Sequence, residues 1–280
     1  MGWIATTNNP AISSTIYNPT ANLDVNPANE TEVTLKAKWR YTKGIHSIAN
    51  MQQMTAKVCK ESTTPNRTAT ALDTDGSHAG DPNYVPTVTL ADTRDNNTYT
   101  VSKLADGKCW MTQNLRIIDK TITPADSNVT TNYTIPASAA NGFNTFDVSR
   151  AYVDPTYGGY YNFHAVTAGV GRYSSSTEGE NITSSICPKG WRLPTSYRSD
   201  SDFHLLYNKY NSSSRLLSAP VNFTLSGLAS NLSGSQTLND VGSTGFYASS
   251  TVYNANDSYT LTLNIITVNP ALKNSYKING

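Results

Sequence analysis

The chain has 280 residues, a formal net charge of +1 and only 15% charged side chains, well below the ~25% usual for soluble globular proteins. That length can bury a sizeable core in one or two domains. The near-neutral balance, though, offers neither the clustered Lys and Arg that nucleic acid requires nor a polybasic patch for anionic lipid. No apolar run approaches the ~18 residues of a membrane span, and Met1-Gly2-Trp3-Ile4-Ala5-Thr6 lacks the basic and apolar regions of a signal peptide.

Along the chain, Val33, Leu35, Ala37 and Trp39 alternate with Thr34, Lys36 and Lys38, which predicts a half-buried strand. Gly2-Trp3 and Ile16-Tyr17-Asn18-Pro19 are turn-and-strand pieces before it. Residues 42–49 read as a linker. Ile48, Met51, Thr55, Val58 and Cys59 then share one face at helical spacing, which predicts a helix over 47–60 with Met51 and Met54 as core rather than soft-metal ligands. Residues 61–90 read as loop. Within them, Asp73-Thr74-Asp75-Gly76 lacks the later glycine and bidentate Glu of a calcium loop.

Asp95-Asn96-Asn97 is a turn, because Asn tolerates positive φ, and it feeds a strand over 97–104 with Tyr99 and Val101 on one face. Asp106-Gly107 is a hairpin signal leading into Lys108-Cys109-Trp110-Met111. The polar stretch 119–150 reads as a surface loop. A glycine turn at Gly158-Gly159 enters the aromatic segment Tyr160-Tyr161-Asn162-Phe163-His164, which turns helical. Phe203, Leu206, Tyr207 and Tyr210 mark a helix capped by Ser201 or Asp202, and 221–228, 244–253 and 259–268 read as strands. The order of elements is α+β: two short helices, antiparallel strands and long loops.

Four histidines are scattered at 46, 78, 164 and 204. His164 sits beside Tyr160, Tyr161 and Phe163 and could donate a hydrogen bond in a pocket; as a catalytic base it would need a reacting group within reach. Asp92 and Asp95 read as anchors of the Arg94 turn. Cys59, Cys109 and Cys187 form no Cys-x-x-Cys or Cys/His set, so no metal or cofactor is expected, and the odd count implies a missing partner or a free thiol. Trp110, Trp191, Tyr160, Tyr161 and Tyr247 form the expected aromatic framework. Any of these left exposed would stack a sugar or peptide ligand.

Asp92–Tyr99, Cys109-Trp110-Met111-Thr112-Gln113-Asn114-Leu115 and Cys187-Pro188-Lys189-Gly190-Trp191-Arg192-Leu193-Pro194-Thr195, in this order, resemble the Fibrobacter succinogenes major paralogous domain over residues 50–280. That family occurs in secreted and surface proteins of bacteria and carries no established activity. The resemblance implies structural roles for Trp110, Asn114, Trp191, Arg192 and Pro194. It also implies a disulfide between Cys59, at the end of the first helix, and Cys109, after the first hairpin. Lys277-Ile278-Asn279-Gly280 resembles the entry to the family's closing strand, whose cysteine would pair with Cys187, so the chain is expected to lack that strand and to leave Cys187 unpaired. Gly2-Trp3, Tyr17-Asn18-Pro19 and Ala37-Lys38-Trp39 resemble the second half of a Listeria–Bacteroides repeat, a β-rich stalk module, over residues 1–41.

The architecture is similar to C-type-lectin-like domains and the formylglycine-generating-enzyme fold, where a Gly-x-Arg-Leu-Pro-Thr turn also leads into a helix. The likeness stops at architecture. The late cysteine pair of the enzyme is absent, and Leu238-Asn239-Asp240 stands alone where a calcium lectin would carry two motifs. The expectation is therefore a non-enzymatic extracellular or cell-surface module, for adhesion or for binding polysaccharide, cell wall or a surface protein. Its ligand residues would be Tyr160, Tyr161, His164 and Tyr247. The alternatives are a hydrolytic or modifying enzyme built around His164 and a purely structural surface-layer module.

Overall fold

A computed structural model describes residues 2–6, 16–17, 34–38, 44–62, 87–138, 143, 148–172, 174–230, 237–264 and 271–276. The chain forms two compact units, 1–42 and 43–280. In the first, β1 (Gly2–Thr6) lies between β2 (Ile16–Tyr17) and β3 (Thr34–Lys38) in an antiparallel sheet, with Trp3 opposite both Tyr17 and Ala37. Thr34–Lys38 of the expected 33–39 strand thus forms, while Val33 and Trp39 lie outside the described residues.

The second unit opens with 3-10 turns at Gly44–Ser47 and Met51–Gln53, followed by α1 (Ala56–Glu61). Ile45 is only 2% exposed and packs with Met51, Met54, Leu90, Tyr99 and Val101, so this segment belongs to the core and is not a free linker. The single helix expected over 47–60 is broken. Asn50 bridges Ala91, and Met54 is extended (φ −64, ψ 133). Thr55 then restarts the helix by accepting the Val58 N–H at 3.1 Å. A distant residue explains the break: Gly190, at φ 83, comes so close that a Cβ there would lie 2.2 Å from the Met54 carbonyl oxygen.

β4 (Thr87–Ala91), β5 (Thr98–Lys103) and β6 (Cys109–Met111) form an antiparallel sheet in that order. β4 corrects the end of the expected 61–90 loop: Leu90 pairs with Tyr99 and Val88 with Val101, giving this Thr-rich segment a buried partner. Residues 63–86, with Asp73 and Asp75, lie outside the described residues. Tyr99 and Val101 are both fully buried, and Asn96 takes the positive φ of 63 that the turn needs.

The stretch 119–150 is not simply surface. β7 (Lys120–Ile122) pairs with β8 (Tyr133–Ile135), and Ile122, Val129 and Ile135 join Ile117, Ile186 and Leu193 in one core cluster. Its apolar residues are too widely spaced to show a period, and only pairing brings them together. β9 (Ala151–Asp154) and β10 (Gly158–Tyr161) form a hairpin that runs into α2 (Phe163–Val166), where the Asn162 side chain caps the Ala165 N–H at 3.0 Å.

The long helix α3 (Asp202–Tyr210) buries Phe203, Leu206 and Tyr210 as its spacing requires, and α4 (Ser213–Leu216) follows. Among the described residues, four short α-helices therefore replace the expected two. Residues 221–227 are irregular rather than a strand: the Val221 and Asn222 N–H groups both bond Ser218 O, and Phe223 N–H bonds Leu216 O, folding the segment back on α4. β11 (Leu228–Ser230) pairs with β12 (Thr237–Asn239). β13 (Thr244–Val252), β14 (Asp257–Asn264) and β15 (Ala271–Tyr276) close the unit as an antiparallel sheet. Residues 265–268 of the expected last strand lie outside the described residues. The fold is mixed and mostly β, with small antiparallel sheets and short helices. Among the described residues no helix is long and apolar enough to cross a membrane.

Candidate functional site

The three sequence motifs meet as joints. A disulfide joins Cys59 of α1 to Cys109 of β6, with Cα atoms 5.7 Å apart, inside the range such bonds span. Trp110 donates its Nε1 proton to Asp106 Oδ2 at 2.9 Å and stacks on Phe203, ring centroids 5.9 Å apart. Asn114 Nδ2 donates to Tyr157 O at 2.8 Å, and Trp191 Nε1 to Met51 O at 2.8 Å. Pro194 O accepts the Ser250 N–H at 2.8 Å, tying the turn to β13. Arg192 and Lys108 converge on Asp202, which also accepts the Thr195 N–H at 2.7 Å. Burial alone would raise the Asp202 carboxyl. The hydrogen bonds from Arg192, Lys108 and Thr195 overrule it and hold the group well below the usual carboxylate range.

These joints surround a cleft of about 1060 Å³, walled by Trp110, Trp191, Tyr160, Tyr161, Phe246 and Tyr247, a volume suited to small-molecule or oligomer binding. Tyr160 is 5% exposed and donates to Ser226 O at 2.6 Å. Tyr161 Oη donates to Ile117 O at 2.8 Å. The Tyr247 hydroxyl donates to Thr224 O and accepts the Thr224 N–H, both at 2.6 Å, while its ring stacks on Phe223 at 4.4 Å. Burial raises all three phenols, Tyr247 to about 12, so they stay protonated and structurally committed. They bring ring surface to the cleft, not a free hydroxyl. His164 is absent from the cleft wall; its Nδ1 lies 2.9 Å from Gly171 O. The structure therefore gathers three of the four expected ligand residues and leaves the fourth elsewhere.

Two further features of the wall escaped sequence reading. Phe223 is placed by its backbone bond to Leu216 O, a long-range choice invisible in the local pattern. The edge of β6 is the other. Thr112 N–H bonds Thr100 O and Leu104 N–H bonds Lys108 O, so ladder alternation turns the N–H and C=O of Cys109 and Met111 away from β5. Among the described residues they meet no hydrogen-bond partner. Cys187 also lines the cleft as a free thiol, and desolvation raises its pKa, which makes it a poor nucleophile. Leu238 and Asn239 lie in β12, and Asp240, at φ 61, opens the turn that follows by accepting the Ser243 and Thr244 N–H groups through its carbonyl. Among the described residues no three His, Cys, Asp or Glu side chains converge as metal ligands.

No curated protein and no solved structure matches the chain. The Fibrobacter succinogenes major domain matches residues 105–265. That span covers the β6 motif, the Cys187–Thr195 turn, α3 and all of β13 and β14, which border or support the cleft. With more than half of its 280 residues matched, the chain belongs to the Fibrobacter succinogenes major domain family.

Proposed function

We propose that residues 43–280 are a non-enzymatic binding module of a secreted or cell-surface bacterial protein, and that the cleft takes extracellular or cell-wall polysaccharide, as in adhesion. The observation that carries this reading is the wall of Trp110, Trp191 and Tyr247, whose polar atoms are all committed to protein partners. What such a wall offers a ligand is rigid aromatic surface, which suits the C–H faces of sugar rings. The Cys59–Cys109 disulfide supports an oxidising, extracellular setting. The non-enzymatic reading rests on Asp202 being held by two cations and on His164 lying off the cleft wall. A C-type-lectin-like arrangement is our reading of the architecture, supported by the Gly190–Thr195 turn that enters α3. Residues 1–41 would then serve as a stalk.

Thr224→Trp tests the site, because Thr224 is exposed, lines the cleft and uses only its backbone in bonding Tyr247. The added indole would fill the cleft and lower affinity for a bound cell-wall polysaccharide roughly tenfold, the loss of about one good contact. Unchanged affinity in a folded variant would remove the cleft from the reading.

A second reading is favoured by the open backbone of Cys109 and Met111: an extended polypeptide could add to β6 as a further strand, filling the cleft through main-chain bonds. Slowed amide exchange at Met111 on adding apolar extended peptides, with none on adding polysaccharide, would favour it.

A further inference from the structure

Apart from the cleft, the second unit carries an exposed aromatic ledge. Tyr197 is 45% exposed, and its ring stacks on Tyr259 with centroids 4.9 Å apart at 29°. Tyr253 meets Tyr259 edge-on at 5.2 Å. The Tyr259 hydroxyl donates to Glu178 Oε1 at 2.7 Å, which fixes the second ring in its plane. None of these residues lines the cleft.

Tyr197 also holds a backbone conformation that bulky L residues avoid, with φ 83. Positions of this kind are strained, and they cluster at functional sites where the surrounding structure enforces them. Enforcement is visible on both sides. The Ser196 N–H donates to Thr251 Oγ1 at 2.8 Å, and the Arg198 N–H donates to Ser196 O at 3.2 Å. The Tyr197 ring also runs beside Gly179, where a Cβ would come within 3.1 Å of it. The chain thus stabilises a strained turn whose visible result is a tyrosine ring presented to solvent on a rigid stack.

We infer that Tyr197, Tyr259 and Tyr253 form a second binding platform, which stacks a neutral hexose unit of a polysaccharide. The inference rests on the polysaccharide reading above and adds a separate site to it. A flat, pre-organised tyrosine surface gives contact area with little loss of side-chain entropy. Its surroundings carry both signs: Arg198 and Asp200 are exposed next to Tyr197, and Glu178 is exposed at Tyr259. A mixed rim suits a neutral polyol, whose hydroxyls both donate and accept, better than an anionic or cationic partner. Two platforms on one unit would let neighbouring sugars of one chain, or two chains, be held together, with avidity beyond either site.

The test uses the full chain with soluble neutral polysaccharides (a β-glucan, an α-mannan and a galactan), affinity being read by titration calorimetry and melting temperature by scanning calorimetry. Tyr197→Gly is the key variant, because glycine accepts φ 83 without strain. The expected result is a melting temperature held or raised and affinity for the bound polymer lowered roughly tenfold, the worth of one stacked ring. Tyr197→Trp should keep affinity within about twofold, since the larger ring still stacks. Full affinity in Tyr197→Gly, while Thr224→Trp loses it, would overturn the ledge and leave the cleft reading standing. The reverse pattern supports the ledge and dismisses the cleft. A wild-type chain that binds none of the three polymers overturns both. A Tyr197→Gly variant with a lowered melting temperature and a Tyr197→Trp variant without binding would together mark Tyr197 as structural and overturn the inference.

Discussion

Arg94 Nη2 lies 2.6 Å from Asp92 Oδ2, and the two side chains are 3% and 0% exposed. The pair is a joint between distant segments. Arg94 Nη1 also donates to Ser127 Oγ at 2.9 Å and to Ile186 O at 2.7 Å, while Asp92 Oδ1 accepts from Gln52 Nε2 at 2.7 Å. One turn thereby holds the 3-10 turn at Met51–Gln53, the β7–β8 region and the residue before Cys187. Removing one partner strands a buried charge, so Asp92→Ala or Arg94→Ala should each lower unfolding free energy by about 3–5 kcal/mol. The double variant Asp92→Leu with Arg94→Met should lose less than either single one. Urea unfolding of the three variants checks the order.

The disulfide should contribute through the unfolded chain. Its cysteines are 50 residues apart, and closing a loop of that length is worth about 4 kcal/mol on the chain-entropy model. Cys59→Ser with Cys109→Ser should therefore shift the urea midpoint strongly downward, whereas Cys187→Ser, which breaks no disulfide, should leave it much closer to wild type. Equal shifts for both would contradict this division of roles.

Gly190 should tolerate no side chain. Its φ of 83 and the 2.2 Å approach of a Cβ to Met54 O act together. Gly190→Ala should cost about 1–3 kcal/mol from backbone strain, with the clash adding to it. The released segment around Met54 should appear as faster amide exchange across 51–56.

Asp202 sets the acid limb of stability. Its folded pKa lies below the unfolded value of ~3.9, so the stabilisation it brings is complete above that value and is lost as pH falls through the folded one. Asp106 runs the other way: desolvation raises its pKa, so it costs stability as pH rises past its unfolded value. Stability should therefore fall below about pH 4, and Asp202→Asn should flatten that fall while lowering stability at pH 7. Melting temperatures across pH 2.5–7, a range set by these carboxylates, would show it.

Much of the framework could be read locally. Tyr99 and Val101 alternate, Phe203, Leu206 and Tyr210 keep helical spacing, and Asn96 supplies a positive φ. Each rests on its own neighbours. The misread parts depend on distant ones. The helix over 47–60 breaks where Met54 meets Gly190, 136 positions later in the numbering. Val129 and Ile135 look like isolated apolar residues in a polar stretch until β7 and β8 place them against Ile186. The cleft shows the same division. Trp110, Trp191 and Tyr247 are legible as framework, whereas His164 reads as a pocket residue only because it sits beside Tyr160 and Tyr161 in the sequence, and α2 carries it away from the wall. Tyr197 gave no local signal at all; its exposure follows from Ser196 bonding Thr251 across the fold.

The polysaccharide reading is tested most directly by amide hydrogen exchange of the full chain with and without a soluble cell-wall polysaccharide. Slowed exchange is expected at Cys109–Met111, Asn222–Gly227 and Phe246–Ala248, segments that wall the cleft. Unchanged exchange in all three segments, at polymer concentrations that saturate any binding seen by calorimetry, would contradict it.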